Sequence, residues 1–238
     1  MQGLIMEIRA GTGGKEAAIF ASDLYRMYTR FATQKNWPVK TLSSNRTTLG
    51  GFKEVIFEIS SPDAYEQLKY EGGIHRVQRI PATEKSGRVH TSTATVAIMT
   101  KVSTVEVNIN PSDIKYETFR SSGPGGQNVN KVETAVRLIH APSGVVVECQ
   151  IERSQARNKE RAIEMLRAKL YETKQREQQE KMGDQRREQI GTADRSEKIR
   201  TYNVPQNRLT DHRINKSWHN LSDIMEGKLD KMIASFKK

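Results

Sequence analysis

The sequence predicts an α+β protein built from more than one domain, and three observations carry that expectation. An apolar stripe with helical period lies near the start of the chain. Short β-rich runs then dominate the stretch from Val39 to Ile98. Composition changes near Thr100 to Thr104, and a second set of strand-like runs leads from there into a long, highly charged helix.

The first helix spans Glu16 to Ala32, because Phe20, Leu24, Met27 and Phe31 recur at helical spacing and share one face. Glycines precede it, and its N-terminus presents unpaired N-H groups able to meet a carbonyl or phosphate oxygen. Val39 to Leu42 and Lys53 to Ile59 read as strands, the second through its alternating Val55, Phe57 and Ile59, with Gly50-Gly51 as the turn between them. Ala64 to Tyr70 reads as a short helix, broken by Gly72-Gly73. Ile74 to Ile80 and Val89 to Ile98 are two further strands, separated by a polar loop from Pro81 to Arg88.

Beyond the composition change, Val105, Val107 and Ile109 alternate as a strand, and Asn110 to Asp113 forms a turn. Val132 to Ile139 and Gly144 to Ile151 read as a strand pair. Ile163, Leu166 and Leu170 mark the buried face of a helix from Asn158 to about Gly183, whose far end is solvated. Asp184 to Arg200 is polar and basic and reads as a linker able to bend. The chain ends in a helix from Leu221 to Phe236.

Composition narrows the function classes. A net charge of +11 over 238 residues favours a polyanionic partner. No apolar run approaches the roughly 20 residues needed to span a bilayer, and Met1 opens no targeting segment, so a cytoplasmic protein without membrane partners is expected. Cys149 is the only cysteine; it lies in a strand-like run and reads as a buried thiol. The histidines lack paired ligand spacing, so no metal and no cofactor is expected. Gly11 to Glu16 fails as a phosphate loop, because Arg9 stands at its first glycine position and Glu16 at its hydroxyl position.

The most informative segment is Arg120-Ser121-Ser122-Gly123-Pro124-Gly125-Gly126-Gln127-Asn128-Val129-Asn130-Lys131. Its glycines let main-chain N-H groups approach a partner closely, and Pro124 stiffens its centre. Continued through Arg137, this run resembles the catalytic loop of class I peptide chain release factors. Supporting blocks in matching order are Glu7 to Gly14, His75 to Thr83, His90 to Ala94, Glu152 to Gln155, Thr201 to Asn203 and Thr210 to Ile214. Pro81-Ala82-Thr83 is similar to the recognition tripeptide of the bacterial-type release factor 1 branch, which reads UAA and UAG.

The resemblance implies a stop-codon decoding domain at residues 1–104, an inserted catalytic domain at 105–189, a switch segment at 190–200, and a C-terminal segment at 201–238 packing on the decoding domain. It implies that Thr83 meets the first two codon bases, that His90 stacks between the second base and a rotated third, and that Gln78 and Thr91 read the third. The backbone near Gly13 and Glu16 would press toward the first uridine. Gly125 and Gly126 would shape the catalytic loop, the Gln127 main-chain N-H would stabilise the developing oxyanion, and its side chain would place water. Gln127 is also a candidate for N5-methylation by a glutamine methyltransferase.

The partners implied are the ribosome, through rRNA, mRNA and P-site peptidyl-tRNA, and the chain is expected to act as a monomer. It would be inert as a free-standing enzyme, because the ribosome completes the site. Release factors of this type carry a further N-terminal helical domain, whereas this sequence starts at the decoding domain. Lys15 and Val204 also depart from the family pattern. Two other readings compete: a codon-independent ribosome-rescue hydrolase, and a non-catalytic RNA-binding descendant. The tripeptide weighs against the first and Gly125-Gly126-Gln127 against the second.

Overall fold

A computed structural model describes residues 3–48, 50–81, 84, 86–101, 108–121, 132–191 and 194–236. The chain divides into two compact units: Met1–Ser103 with Met182–Lys238, and Thr104–Lys181. The sequence placed the second break at 189; the observed one falls inside a helix. Ala82, Thr83, Gly125, Gly126, Gln127, Val105 and Val107 lie outside the described residues.

Unit 1 is built on one sheet. Its strands are β1 (Leu4–Ala10), β2 (Val39–Arg46), β3 (Phe52–Ile59), β4 (Gly73–Arg79), β5 (His90–Thr100), β9 (Lys198–Asn203), β10 (Arg208–Asp211) and β11 (Lys216–His219), in the order β11-β10-β9-β4-β5-β1-β3-β2. Neighbours are antiparallel except β4 and β9, which run parallel. Helix α1 (Lys15–Gln34) covers one face, burying Phe20, Leu24, Met27 and Phe31 against Leu4, Met6, Ile8, Val55, Phe57 and Val96. Each such side chain contributes on the order of 1.5–3 kcal/mol through the water it leaves.

The predicted C-terminal helix is instead two short ones, α4 (Leu221–Met225) and α5 (Asp230–Ala234). Gly227 separates them with φ +94°, and a Cβ there would lie 2.7 Å from the Phe31 backbone nitrogen. Close packing on α1 thus demands glycine and ends the helix. Helix α2 (Pro62–Leu68) is N-capped by the Ser61 hydroxyl and runs into a 3-10 turn at Lys69–Glu71.

Three buried charges join distant parts of this unit. Glu71, Arg200 and Asp211 are each no more than 1% exposed. The Arg200 guanidinium donates to both Glu71 carboxylate oxygens and, through Nε, to Asp211 Oδ2 at 2.8 Å. Arg213 closes the cluster on Asp211, and the Tyr28 hydroxyl donates to Glu71. Beside them His75 Nε2 meets the Glu71 carbonyl at 2.9 Å, which only an N-H can satisfy, so Nδ1 accepts from the Tyr202 hydroxyl. Burial, with the Arg200 charge, pushes the His75 pKa down to about 4, so the ring is neutral near pH 7.

Unit 2 contains an antiparallel sheet of β6 (Ile114–Phe119), β7 (Ala135–His140) and β8 (Val145–Cys149), followed by α3 (Gln155–Ile190), whose last residues belong to unit 1. Its core joins Val136, Leu138, Val147 and Cys149 to Ala162, Leu166 and Leu170. At its centre Asn158 is fully buried. Its amide donates to the carbonyls of Thr134 and Glu152, each at 2.8 Å, and its Oδ1 accepts from the Glu152 N-H at 2.9 Å and the Cys149 thiol.

The segment read as a bending linker from Asp184 is helical to Ile190. Arg and Gln are good helix formers, and two side chains hold this last stretch to unit 1. Arg186 pairs with Glu7, its Nε lying 2.9 and 3.0 Å from the two oxygens. Pairing of β5 with β4 ends at Val96 opposite Gly73. One step on, the Gln189 carboxamide takes the place of a strand, accepting from Ile98 N at 2.7 Å and donating to Ile98 O at 2.8 Å. No helix among the described residues is long and apolar enough to cross a membrane.

Candidate functional site

The hairpin of β4 and β5 gathers most of the described candidate residues at one end. In its register Gln78 stands opposite Thr91, and Arg79 opposite His90. Successive side chains of a strand point to opposite faces. The pair Gln78 and Thr91 therefore occupies one face, and the pair Arg79 and His90 the other, which is the face covered by α1. Pro81 lies just past the end of β4.

Gln78 and His90 each have a partner that limits the side chain's motion. Asn203 Nδ2 donates to Gln78 Oε1 at 3.3 Å, and the Val204 N-H donates to the Gln78 carbonyl at 3.0 Å. His90 is about half exposed, and its Nε2 lies 2.7 Å from Glu84 Oε2. The Ser86 N-H, then the Ser86 hydroxyl and the His90 ring, hold the Glu84 carboxyl below its ordinary value. One imidazole edge is thus tethered while the ring remains open to a partner.

The entry to α1 is fixed against the start of β5. Gly11 N donates to the Thr93 carbonyl at 2.8 Å, Thr93 N to the Thr12 carbonyl at 2.8 Å, and Thr12 N to Thr93 Oγ1 at 2.9 Å. Gly13 has φ +133°, and a Cβ there would stand 2.3 Å from Ser92 Oγ. Only glycine allows the helix tip so near the strand. Gly14 is the N-cap and offers no side chain to the first-turn amides. Glu16 turns its carboxylate inward to Arg79 and is buried, so the exposed Gly13 and Gly14 backbone at the tip is flanked by the Thr12 and Lys15 side chains and not by a carboxylate.

In unit 2 the glutamine loop lies between Phe119 and Ala135, which are paired at the ends of β6 and β7. Ser121 Oγ stands 3.3 Å from Thr134 Oγ1, and Thr118 donates to Glu133 at 3.1 Å, so the loop springs from a closed stem. Gln155 and Asn158 of α3 bind the carbonyls of Glu133 and Thr134 on the downstream side. No group of three or more His, Cys, Asp or Glu is placed to hold a metal ion among the described residues.

Sequence reasoning assigned no role to Arg79, Asn203 or Asn158. Asn203 reaches Gln78 only because β9 pairs with β4 across 125 residues. Asn158 carries a weaker sequence signal: an amide at the start of a helix, spaced with Ala162 and Leu166 on its buried side.

Comparison with known proteins matches the PCRF domain to residues 1–96 and the RF-1 domain to residues 103–213. The chain is 59% identical over 230 residues to peptide chain release factor 1 of Dictyoglomus turgidum, covering 97% of this chain and 63% of that protein. It is 57% identical to the same factor of Aquifex aeolicus, covering 98% and 65%, and 54% identical to that of Thermotoga maritima, covering 97% and 67%. Among solved structures, RF2 of Thermus thermophilus is similar with a TM-score of 0.59 and 35% identity, over 98% of this chain and 66% of that one. The chain thus spans about two thirds of the length of these relatives.

Proposed function

The chain belongs to the peptide chain release factor 1 family, and from that premise we propose that it terminates translation, reading UAA and UAG and promoting hydrolysis of the peptidyl-tRNA ester on the ribosome. The observation that carries this reading is the register of β4 and β5. It sets Gln78 and Thr91 together on one face and His90 on the other, so a base stacked on His90 is separated from a base read by the pair. Gln78 and Thr91 each offer both a donor and an acceptor, which suits a third position that is either A or G. Unstacked bases read by side chains and stacked on rings are how single-stranded RNA is recognised. Thr83 acts on the first two bases, and the backbone at Gly13 faces the first.

At the ester, the Gln127 main-chain N-H stabilises the negative charge that develops on the carbonyl oxygen; one such donor is worth about 2.7–4 kcal/mol of barrier. Its side chain places the attacking water, and Gly125 and Gly126 allow the backbone shape. The closed stem beneath the loop supports this role by fixing where the loop begins and ends. The net charge of +11 suits rRNA phosphates. The setting is the cytoplasm, the partners are the ribosome and its bound RNAs, and Gln127 is a substrate for a glutamine methyltransferase.

Peptide release from ribosomes programmed with UAA, UAG, UGA or a sense codon tests this directly. Release at UAA and UAG alone, slowed about a hundredfold by Gln127→Ala with binding retained, is the expected result. Equal release on every codon would replace termination by rescue, and tight binding without release would replace both by a non-catalytic role.

A further inference from the structure

We propose that Arg79 is a positioning residue for codon reading, a clamp that fixes the tip of α1 relative to the β4–β5 end and so sets discrimination at the first codon base. This rests on the decoding role proposed above and extends it to a residue that touches no codon base.

Arg79 stands where strand, helix and candidate site meet. It is the last residue of β4, adjacent in sequence to Gln78 and opposite His90 in the register. Its guanidinium leaves the strand on the α1 face. There Nε donates to Glu16 Oε1 in the first turn of α1, and Nη1 donates to Asp23 Oδ2 at 2.7 Å, two turns further on. The three side chains are largely enclosed, at 22% exposed for Arg79, 8% for Glu16 and 14% for Asp23. One planar fork thus holds two points of a helix and ties them to the strand bearing Gln78.

Two attachments along the axis of α1 resist both sliding and tilting of its tip. A planar guanidinium is suited to this, since its donors are fixed relative to one another. Burial works against the Arg79 charge, but the bonds it donates to Asp23 and Glu16 outweigh it and raise its pKa. The second anchor of the tip is the set of hydrogen bonds among Gly11, Thr12 and Thr93, two between backbones and one to the Thr93 hydroxyl. Those bonds fix the glycine segment; the Arg79 fork fixes the helix behind it. Losing the fork leaves the fold's core intact and frees the tip by a fraction of an ångström, enough to blur a fit that rejects larger or differently edged bases.

The test compares peptide release on UAA with release on CAA, where only the first base differs, for the unaltered protein, Arg79→Gln and Arg79→Lys. Arg79→Gln is expected to lower the UAA-to-CAA ratio of kcat/KM by about tenfold or more. Its rate on UAA at saturating factor should stay within about twofold, because chemistry is made elsewhere. Arg79→Lys, which can keep one of the two ion pairs, should recover part of the ratio. An equal rise in KM on both codons would mark Arg79 as merely structural and overturn the proposal, as would an unchanged ratio. If Arg79→Gln fails to fold by circular dichroism, Asp23→Asn, which keeps the Glu16 contact, takes its place: a smaller loss of the ratio supports the clamp and an unchanged ratio sinks it. Absence of codon dependence in the unaltered protein would instead refute the decoding role itself.

Discussion

Unit 1 and unit 2 each hold a polar group deep within an apolar core, and they do so with different chemistry. Unit 1 buries full charges: Arg200 bridges Glu71 and Asp211, which lie 129 and 11 residues away. Unit 2 buries one neutral amide, and the bonds of Asn158 reach only 6 to 24 residues along the chain. The difference follows from connectivity. Unit 1 is assembled from two separate stretches of chain, so β9 must find β4 among many apolar alternatives. A buried charge with a single satisfying partner set penalises every wrong arrangement. Unit 2 is continuous, β7 and β8 meet through the short connection at 141–144, and an amide is enough to join helix to sheet.

The largest difference between the units is expected at Arg200. Arg200→Ala strands Glu71 without its cation, leaves Asp211 with Arg213 alone, and should destabilise unit 1 by about 3–5 kcal/mol. Both tryptophans, Trp37 and Trp218, belong to unit 1, so fluorescence reports its unfolding alone. A urea midpoint left unmoved would show that the cluster contributes little.

Acid should separate the units next. His75 has its pKa lowered from 6.5 to about 4, so between these values the unfolded chain binds the extra proton and stability falls as pH falls, by on the order of 3 kcal/mol in all. Burial would raise the Asp211 carboxyl, but the bond from Arg213 and the charge of Arg200 outweigh it and hold it low. Its contribution is present above the ordinary carboxylate range and is lost at still lower pH. Asn158 has no proton to gain in this window. Tryptophan-detected stability should therefore drop from pH 6.5 downward; a flat profile to pH 4.5 would contradict a neutral, buried His75.

Asn158→Ala tests the other side. It leaves the Thr134 and Glu152 carbonyls and the Glu152 N-H without their partner, at about 1–3 kcal/mol each if no water replaces it. Helical circular dichroism should melt earlier while the fluorescence midpoint holds; movement of both together would mean the units unfold as one. The smallest effect is expected at the exposed cross-strand pair Arg137 and Glu148, where Glu148→Gln should cost under about 1 kcal/mol by thermal melting.

Much of this was legible in the sequence where periodicity speaks. The apolar stripe of α1 and the alternation of Val55, Phe57 and Ile59 marked their elements. β1 was not read as a strand, because Leu4-Ile5-Met6 is a continuous apolar run that suits a buried helix as well. β6 was hidden behind the Asn110-Pro111 turn signal, with only Ile114, Tyr116 and Thr118 to declare its alternation. The loop motifs named Gln78, His90 and Thr91, yet not what holds them. Asn203 lies 125 residues from Gln78, and the carboxylates that hold Arg79 lie 63 and 56 residues away, separations at which no local pattern survives. The buried cluster was invisible for the same reason, since Arg200 reads as one more basic residue in a polar stretch.

The carboxamide of Gln189 stands in for a strand beside Ile98, and this makes one amide proton a gauge. The Ile98 N-H is shielded from solvent deuterium only while the last turn of α3 stays seated. Its exchange rate therefore counts the openings of that turn, against neighbours such as Val96, whose partner Gly73 is a true strand residue. With Gln189→Leu the Ile98 proton alone should exchange early, and in the unaltered protein its rate would time how often the end of the long helix lifts away.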